Sequence, residues 1–193
     1  MYAIVKDGSI TATGNIKQLF PNTSFAGGTA NADFKTAEGV KDIVQGERKD
    51  QKYYYVTQGD IALVDGVPTQ QYTNTAKRLA DEDAKDADGN QLYVQEWDDD
   101  TEEMVDTSTK QINQGLKTPM TAQVKDTANK LLAKTDWMVT RKYERDVAIP
   151  SATATYRAAV ITECARLETA IANAADVDAL KTVMQGQSWP TED

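Results

Sequence analysis

The chain has 193 residues, one Cys, no His, and 21 basic against 30 acidic side chains, for a formal net charge of -9. Without His, Ser-His-Asp triads, Cys-His pairs and His-based zinc sites are excluded, and one Cys cannot form an internal disulfide framework or a thiolate cluster. The acidic balance argues against nucleic acid as the main partner. Apolar residues make up 40%, but only 35 are Leu, Ile, Val or Phe and 25 are Ala, so we expect a thin core.

The N-terminal part of the sequence predicts short antiparallel strands. A hairpin is expected to turn at Asp7-Gly8, because Asp-Gly suits a two-residue turn with positive φ, and a short helical turn should run from Ile16 to Phe20. From Val40 to about Tyr72, β-branched and Tyr residues predict a small antiparallel sheet. Its strands are expected at 40–44, 52–57 and 61–64, with turns at Gly46, Gly59-Asp60 and Asp65-Gly66.

The negative charge is concentrated in one segment. Residues 81–106 hold 12 acidic side chains and a single Lys, so the rest of the chain carries +2. Within the segment, 92–97 reads as a strand, 98–100 as a turn, and Met104-Val105 as a partner strand. We therefore predict an acidic hairpin that buries Tyr93 and Trp97 on one face and favours a basic partner.

The C-terminal part has helical periodicity. Thr118 is the expected N-cap of a first helix, with Pro119 at its first position and an apolar face running from Val124 to Tyr143. A second helix should be capped by Ser151, and a third, short helix by Asp176. The stripe of the second is expected at Ile161, Cys164, Leu167 or Glu168, and Ile171. The predicted fold class is α+β, with a β-rich domain at 1–115 and a module of two to three helices at 116–193.

The residues themselves indicate no enzymatic chemistry. A calcium loop over Asp86-Ala87-Asp88-Gly89 fails, because the required register puts Ala84 and Gln95 at ligand positions. We interpret Cys164 as a small buried residue and Glu163 as a surface residue. No catalytic, cofactor-binding or metal site is predicted, although 30 acidic residues leave a carboxylate-based hydrolase open as an alternative.

The helical part carries a recognisable pattern of motifs. Asn129-Lys130-Leu131-Leu132-Ala133-Lys134-Thr135-Asp136-Trp137 is followed by Thr155-Tyr156-Arg157-Ala158-Ala159-Val160 and a final Trp189-Pro190. Over roughly residues 124–190 the chain resembles a module of tailed-bacteriophage proteins, the tail-fibre assembly and virion-associated tail proteins. It departs from that pattern at Ile161, where an Arg is common, and in the longer stretch 163–187.

The resemblance implies a virion structural protein, an adaptor subunit of the tail, baseplate or tail-fibre region that binds other tail or fibre proteins in several copies. It implies no enzymatic activity, cofactor, small-molecule substrate, nucleic acid or membrane as a partner. The expected location is the virion, after synthesis in the host cytoplasm. The candidate interaction or packing residues are Asp136, Trp137, Tyr156, Arg157, Trp189 and Pro190, with Trp137, Tyr156 and Trp189 expected to hold the module together. An assembly chaperone absent from the mature virion and an envelope-degrading enzyme remain as alternatives.

Overall fold

A computed structural model describes residues 1–191, except for the side chain of Ala26. Strands in the first part of the chain precede helices in the second, which confirms the predicted α+β class. The chain divides into two compact units, Met1–Ala76 and Lys77–Asp193, and each is described by itself.

The first unit opens with a three-stranded antiparallel sheet, in which the first strand lies between the other two. Its strands are β1 (Tyr2–Lys6), β2 (Ser9–Gly14) and β3 (Val40–Asp42). The predicted hairpin is confirmed, since Asp7 and Gly8 between β1 and β2 have φ of 49° and 73°. Two helices, α1 (Ile16–Leu19) and α2 (Ala32–Glu38), connect β2 to β3. Phe20, Phe25 and Phe34 pack edge to face beside the buried Ile16 and Val40, which form the small core here.

The second sheet of this unit contains β4 (Val44–Gln45), β5 (Tyr54–Val64) and β6 (Val67–Ala76). The hairpin turn at Asp65-Gly66 is confirmed, but the predicted turn at Gly59-Asp60 is wrong, because β5 continues through it. The pairing shifts register between Gln58 and Ile61, so the strand absorbs the Gly as a β-bulge. The sheet is also not purely antiparallel, since β4 runs parallel to β6.

The second unit begins with four strands, two of which form the predicted acidic hairpin. The pairs are β7 (Glu82–Asp83) with β10 (Ile112–Asn113), and β8 (Tyr93–Asp98) with β9 (Glu103–Lys110). Met104 lies opposite Trp97, as expected for partner strands. The expectation that Trp97 is buried is wrong, because its side chain is 59% exposed. Pairing shifts register between Tyr93 and Gln95, so the regular alternation assumed from the sequence is broken within β8.

Four helices complete the second unit: α3 (Lys117–Ala133), α4 (Asp136–Arg145), α5 (Ser151–Asn173) and α6 (Val177–Gln185). The first predicted helix is thus two helices, and Tyr143, expected on its apolar face, is 94% exposed. α3 starts at Lys117, ahead of the predicted cap Thr118, whose hydroxyl instead donates to the Asp81 carboxylate. Asp176 does cap α6, accepting from the Ala179 N–H at 2.7 Å.

The core of the helical part lies where α5 packs on α3 and α6. Its buried side chains include Val124 and Ala128 on α3, Tyr156, Val160, Leu167 and Ile171 on α5, and Leu180 and Met184 on α6. Ile161 is 56% exposed and so lies outside the stripe predicted for it, because one residue beyond Val160 turns the helix by about 100°. Among the described residues, no helix is long and apolar enough to cross a membrane.

The predicted domain boundary at 115/116 differs from the observed division after Ala76. The acidic segment belongs with the helices because its first residues are bonded to the start of α3. Leu116 N–H donates to Arg78 O at 2.8 Å, and Gly115 N–H donates to the Asp81 carboxylate at 2.7 Å. A sequence boundary drawn where strands give way to helices misses these bonds, which join residues far apart along the chain.

Candidate functional site

The residues that carry the Asp-Trp and Tyr-Arg motifs meet where α3 gives way to α4. Arg157 of α5 reaches this break, and its Nη1 donates to Leu132 O at 2.9 Å and to Thr135 Oγ1 at 2.7 Å. The same nitrogen lies 2.9 Å from Asp136 Oδ1. Thr135 is almost fully buried, and Arg157 supplies a charged donor to its hydroxyl oxygen. Leu132 O also accepts from Thr135 N–H at 3.0 Å, so Arg157 adds a second kind of donor to a carbonyl at the end of α3. We call this set of four residues the Arg157 junction.

Tyr156, the neighbour of Arg157, points into the helical core. It is 8% exposed and clusters with Ala128 and Val160, and the half-buried Trp189 packs against that cluster. Trp189 Nε1 donates to Gln187 Oε1 at 2.9 Å. The structure therefore brings together Tyr156 and Trp189, two of the three aromatic residues expected to hold the module.

Pro190 continues the chain along the N-terminal end of α5. With Ser151, Tyr156 and Ala159 it lines an open groove of about 440 Å³. Pro190 is half-buried, so it serves as part of the wall of this groove. Among the residues that the structure describes, the lining is mostly small side chains and includes no charged group to orient a substrate.

Trp137 lies apart from the core, contrary to the expectation that it holds the module together. Its side chain is 54% exposed, and its ring stacks on Arg141, with 4.7 Å from the guanidinium carbon to the ring centroid. α4 contributes no buried residue among those the structure describes. The Asp-Trp pair is thus split, with Asp136 in the junction and Trp137 facing outward.

Glu163 was predicted to lie on the surface, and this prediction is wrong. It is 9% exposed and accepts two hydrogen bonds from Arg166, at 2.6 and 2.7 Å. It also accepts from Ser188 N–H at 2.8 Å, while Arg166 donates to Gly186 O at 3.2 Å. Hydrogen bonds from Arg166 lower the pKa of Glu163 despite its burial. These four residues form a C-terminal clamp, which ties the segment carrying Trp189 to α5.

Sequence reasoning missed the clamp because a Glu and an Arg three residues apart on a helix are common on surfaces. The signal that could have found it was the position of Glu163, which shares a helix face with the buried residues Val160 and Leu167. A carboxylate on an apolar face needs a partner, and an Arg one turn away is the nearest candidate.

The surroundings of Cys164 disfavour its reactive thiolate form. Its Sγ donates to Glu168 Oε1 at 3.3 Å, and Glu168 also pairs with Lys125 at 3.1 Å. Burial and the hydrogen bond to Glu168 raise the pKa of the Cys164 thiol. Since the thiolate is the reactive form, this raised pKa disfavours nucleophilic chemistry and agrees with a packing role.

The loop that resembles part of a calcium site is closed by its own hydrogen bonds. The Asp86 carboxylate accepts from Asp88 N–H, from Asn90 N–H and from the Asn90 side chain, at 2.8 to 3.0 Å. The Asn90 hydrogen bonds lower the pKa of Asp86. Within residues 1–191, no three His, Cys, Asp or Glu side chains form a group that could hold a metal ion.

Two exposed surfaces of the second unit carry large apolar side chains. One is the end of the acidic hairpin, where Trp97 and Met104 lie opposite each other, 59% and 52% exposed. The other is α4, with Trp137 and Tyr143 exposed.

No protein-family model, curated protein or solved structure matches the chain.

Proposed function

We propose that this protein is a non-enzymatic structural subunit of a bacteriophage tail, an adaptor that binds other tail or tail-fibre proteins. The observation that carries the proposal is that four of the residues on which the resemblance rests converge, although Trp137 faces outward. Asp136 and Arg157 pair in the Arg157 junction, and Tyr156 packs with Trp189 on the adjacent side of α5. Residues from three separated stretches of sequence thus lie in one helical module. This supports the proposal, because motif residues that belong to one module should be close in space.

The residues that hold the fold together differ from those that are exposed for contact, as expected for an adaptor. The Arg157 junction and the C-terminal clamp are internal, and they fix where α4 starts and where the last residues lie. Within the described part of the second unit, the strongly exposed aromatic side chains lie on α4 and on the acidic hairpin. Large aromatic side chains near the centre of a contact contribute much of the energy of protein association, so these are the surfaces that would meet neighbouring subunits.

The experiment is to locate the chain in purified particles. Phage from the cell that produces this protein are banded on a density gradient, and the tail proteins are quantified by mass spectrometry against the major tail protein. We expect the chain to remain with intact particles in a fixed number of copies and to label the tail region with an antibody. Its absence from mature particles, together with its presence on free fibres during assembly, would contradict the proposal and assign it the role of an assembly chaperone.

A further inference from the structure

The acidic hairpin ends in an apolar pair framed by negative charge. Trp97 and Met104 face each other across β8 and β9, and more than half of each side chain is exposed in the single chain. Residues 96–106 contain seven acidic side chains and no basic one. We call this surface the hairpin tip. A partner must therefore offer both apolar contact and positive charge.

The exposed side of α4 has the complementary character. Lys134 and the helix together carry four basic and two acidic side chains, and one of those acids, Asp136, is paired with Arg157. Trp137, Val139 and Tyr143 are 54%, 41% and 94% exposed. Of the other basic residues, Lys142 and Arg145 are exposed, whereas Arg141 is half-buried under the Trp137 ring. On a helical projection, Lys142 lies next to the exposed strip formed by Val139 and Tyr143. We call this surface the basic helix face.

We infer that the hairpin tip of one copy of this chain docks on the basic helix face of a second copy. Each face supplies what the other lacks: carboxylates around an apolar pair on one side, and exposed Lys and Arg beside exposed apolar side chains on the other. Within one chain both faces stay open, as the exposure of Trp97 and Tyr143 shows. The occupant that fits the hairpin tip is thus another copy of the same protein.

The alternative self-contact, hairpin against hairpin, is disfavoured by electrostatics. It would bring two sets of seven carboxylates together, and like charges set opposite each other destabilise strand pairing. Pairing of one tip with one helix face is instead heterologous, so the pair keeps one free tip and one free helix face. Such contacts propagate into a ring when the rotation closes, or into a filament when it does not.

The contact should be weak between two isolated copies. A hairpin tip against a three-turn helix buries less than the roughly 1,200 Å² at the lower end of stable interfaces. Closure of a ring, or a shared scaffold, would raise the effective concentration and stabilise the assembly without new contacts. Because the charges are solvent-exposed, salt should weaken the association.

This inference deepens the proposed function and rests on it for the presence of many copies in one particle. The test uses the purified full-length chain alone, so its failure would leave the particle experiment unaffected. Sedimentation velocity is measured over a range of protein concentrations, at low and at high salt. We expect concentration-dependent association that weakens on the order of tenfold between about 50 mM and 500 mM NaCl.

Charge-reversed variants then decide which surfaces meet. The hairpin variant carries Asp99→Lys, Asp100→Lys and Glu103→Lys, and keeps Asp98, whose carboxylate accepts the turn N–H groups of Asp100 and Thr101. The helix variant carries Lys134→Glu, Lys142→Glu and Arg145→Glu, all at exposed positions. A control changes the same amount of charge in the first unit, with Asp33→Lys, Glu47→Lys and Asp60→Lys, also exposed.

Each variant alone should be monomeric, because residues 96–106 carry -1 instead of -7 in the hairpin variant, and residues 134–145 carry -4 instead of +2 in the helix variant. The attraction between a tip and a helix face is then largely lost in the first and reversed in the second. An equal mixture of the two should associate again, because the helix variant keeps a native hairpin tip and the hairpin variant keeps a native basic helix face. The control variant should keep the concentration dependence of the native chain. Circular dichroism and melting temperature establish that every variant is folded. A native chain that stays monomeric at all concentrations in low salt, variants that associate like the native chain, or a mixture that stays monomeric would each overturn the inference.

Discussion

Arg157 of α5 lies 2.9 Å from Asp136, the first residue of α4, and the same Nη1 also bonds Leu132 O and Thr135 Oγ1 at the end of α3. One side chain thus fixes the break between two helices. The ion pair itself contributes little, because Asp136 is 60% exposed, whereas the bonds to Leu132 and the buried Thr135 lie inside the module. The main role of Arg157 is to satisfy the backbone and hydroxyl groups at the break.

The first prediction concerns this junction. Arg157→Ala should lower the free energy of unfolding by about 1 to 3 kcal/mol, because it removes the charged donor to the buried Thr135 hydroxyl and one donor to Leu132 O. Hydrogen exchange should become faster in 134–145, since α4 then loses its main attachment. Arg145→Ala, at an exposed position near the end of α4, is the matched control and should change neither quantity measurably. Equal effects of the two variants would contradict the role assigned to Arg157.

The second prediction concerns the C-terminal clamp. Glu163→Gln keeps the shape of the side chain but weakens its bonds to Arg166 and Ser188 N–H. We expect a loss of about 1 to 3 kcal/mol in urea unfolding, as for hydrogen bonds to charged groups, and a more exposed Trp189, read as a red shift of Trp fluorescence. Glu144→Gln, at an exposed position on α4, should leave both unchanged. A red shift of the fluorescence without a loss of stability would contradict this prediction, because the clamp would then position Trp189 without stabilising the fold.

The third prediction is the pH dependence of the same clamp. The pKa of Glu163 is lowered in the folded chain, chiefly by hydrogen bonds from Arg166. A carboxylate with a lowered pKa stabilises the fold above its unfolded pKa of about 4.3, and this contribution is lost as pH falls through the folded pKa. The stability difference between the native chain and Glu163→Gln should therefore be constant near neutral pH and shrink below about pH 4. Urea unfolding over a pH series measures it. A stability difference that grows on acidification would mean that the pKa of Glu163 is raised, and not lowered, by folding.

The fourth prediction separates the two Trp residues of the helical motifs. Trp189→Ala should cost about 1 to 2 kcal/mol, because its half-buried ring packs against Tyr156 and Val160. Trp137→Ala should cost under about 1 kcal/mol, since over half of that ring is already exposed, but it should weaken self-association. Thermal unfolding and sedimentation of the two variants test this. A larger loss of stability from Trp137→Ala would restore the packing role expected from the sequence.

The contrast between these Trp residues shows what the sequence could and could not predict. The α+β class, the hairpin at Asp7-Gly8 and the cap at Asp176 follow from local chemistry, and the structure agrees. The burial of Trp97, Trp137 and Glu163 depends on which elements pack together, which no local pattern reports. Helical spacing continues from α3 into α4, so the sequence pattern does not report the turn at Lys134-Thr135, where Arg157 bonds the chain.

The candidate site divides in the same way. Asp136 and Arg157, and Tyr156 and Trp189, could be grouped from the resemblance, because motif residues of one module tend to meet in space. The basic helix face could not, since the exposed sides of Tyr143 and Val139 become visible only once α4 is seen to bury no described residue. The partners of Glu163 were equally hidden, because Ser188 lies beyond α6 along the chain.

The fifth prediction compares two glycines with the same backbone preference and different surroundings. Gly39 ends α2 at φ 67° and Gly66 turns the β5–β6 hairpin at φ 75°, so Ala is strained at both. A Cβ on Gly66 would meet no atom within 4 Å, whereas on Gly39 it would lie 2.4 Å from Val5 O. Gly39 O also accepts from Val5 N–H at 2.8 Å, so relief of that clash would strain the connection between β1 and β3.

We therefore expect Gly66→Ala to cost about 1 kcal/mol, from the backbone alone. Gly39→Ala adds a steric clash with a main-chain atom that cannot rotate away, and should cost about 2 to 4 kcal/mol. Urea unfolding of each variant measures the difference, and hydrogen exchange at Val5 should increase only in Gly39→Ala. Gly39 leads directly into β3, which pairs with β1. An equal loss of stability at Gly39 and Gly66 would contradict this prediction. The turn at Gly39 would then be free to move and would not set the register of the first sheet.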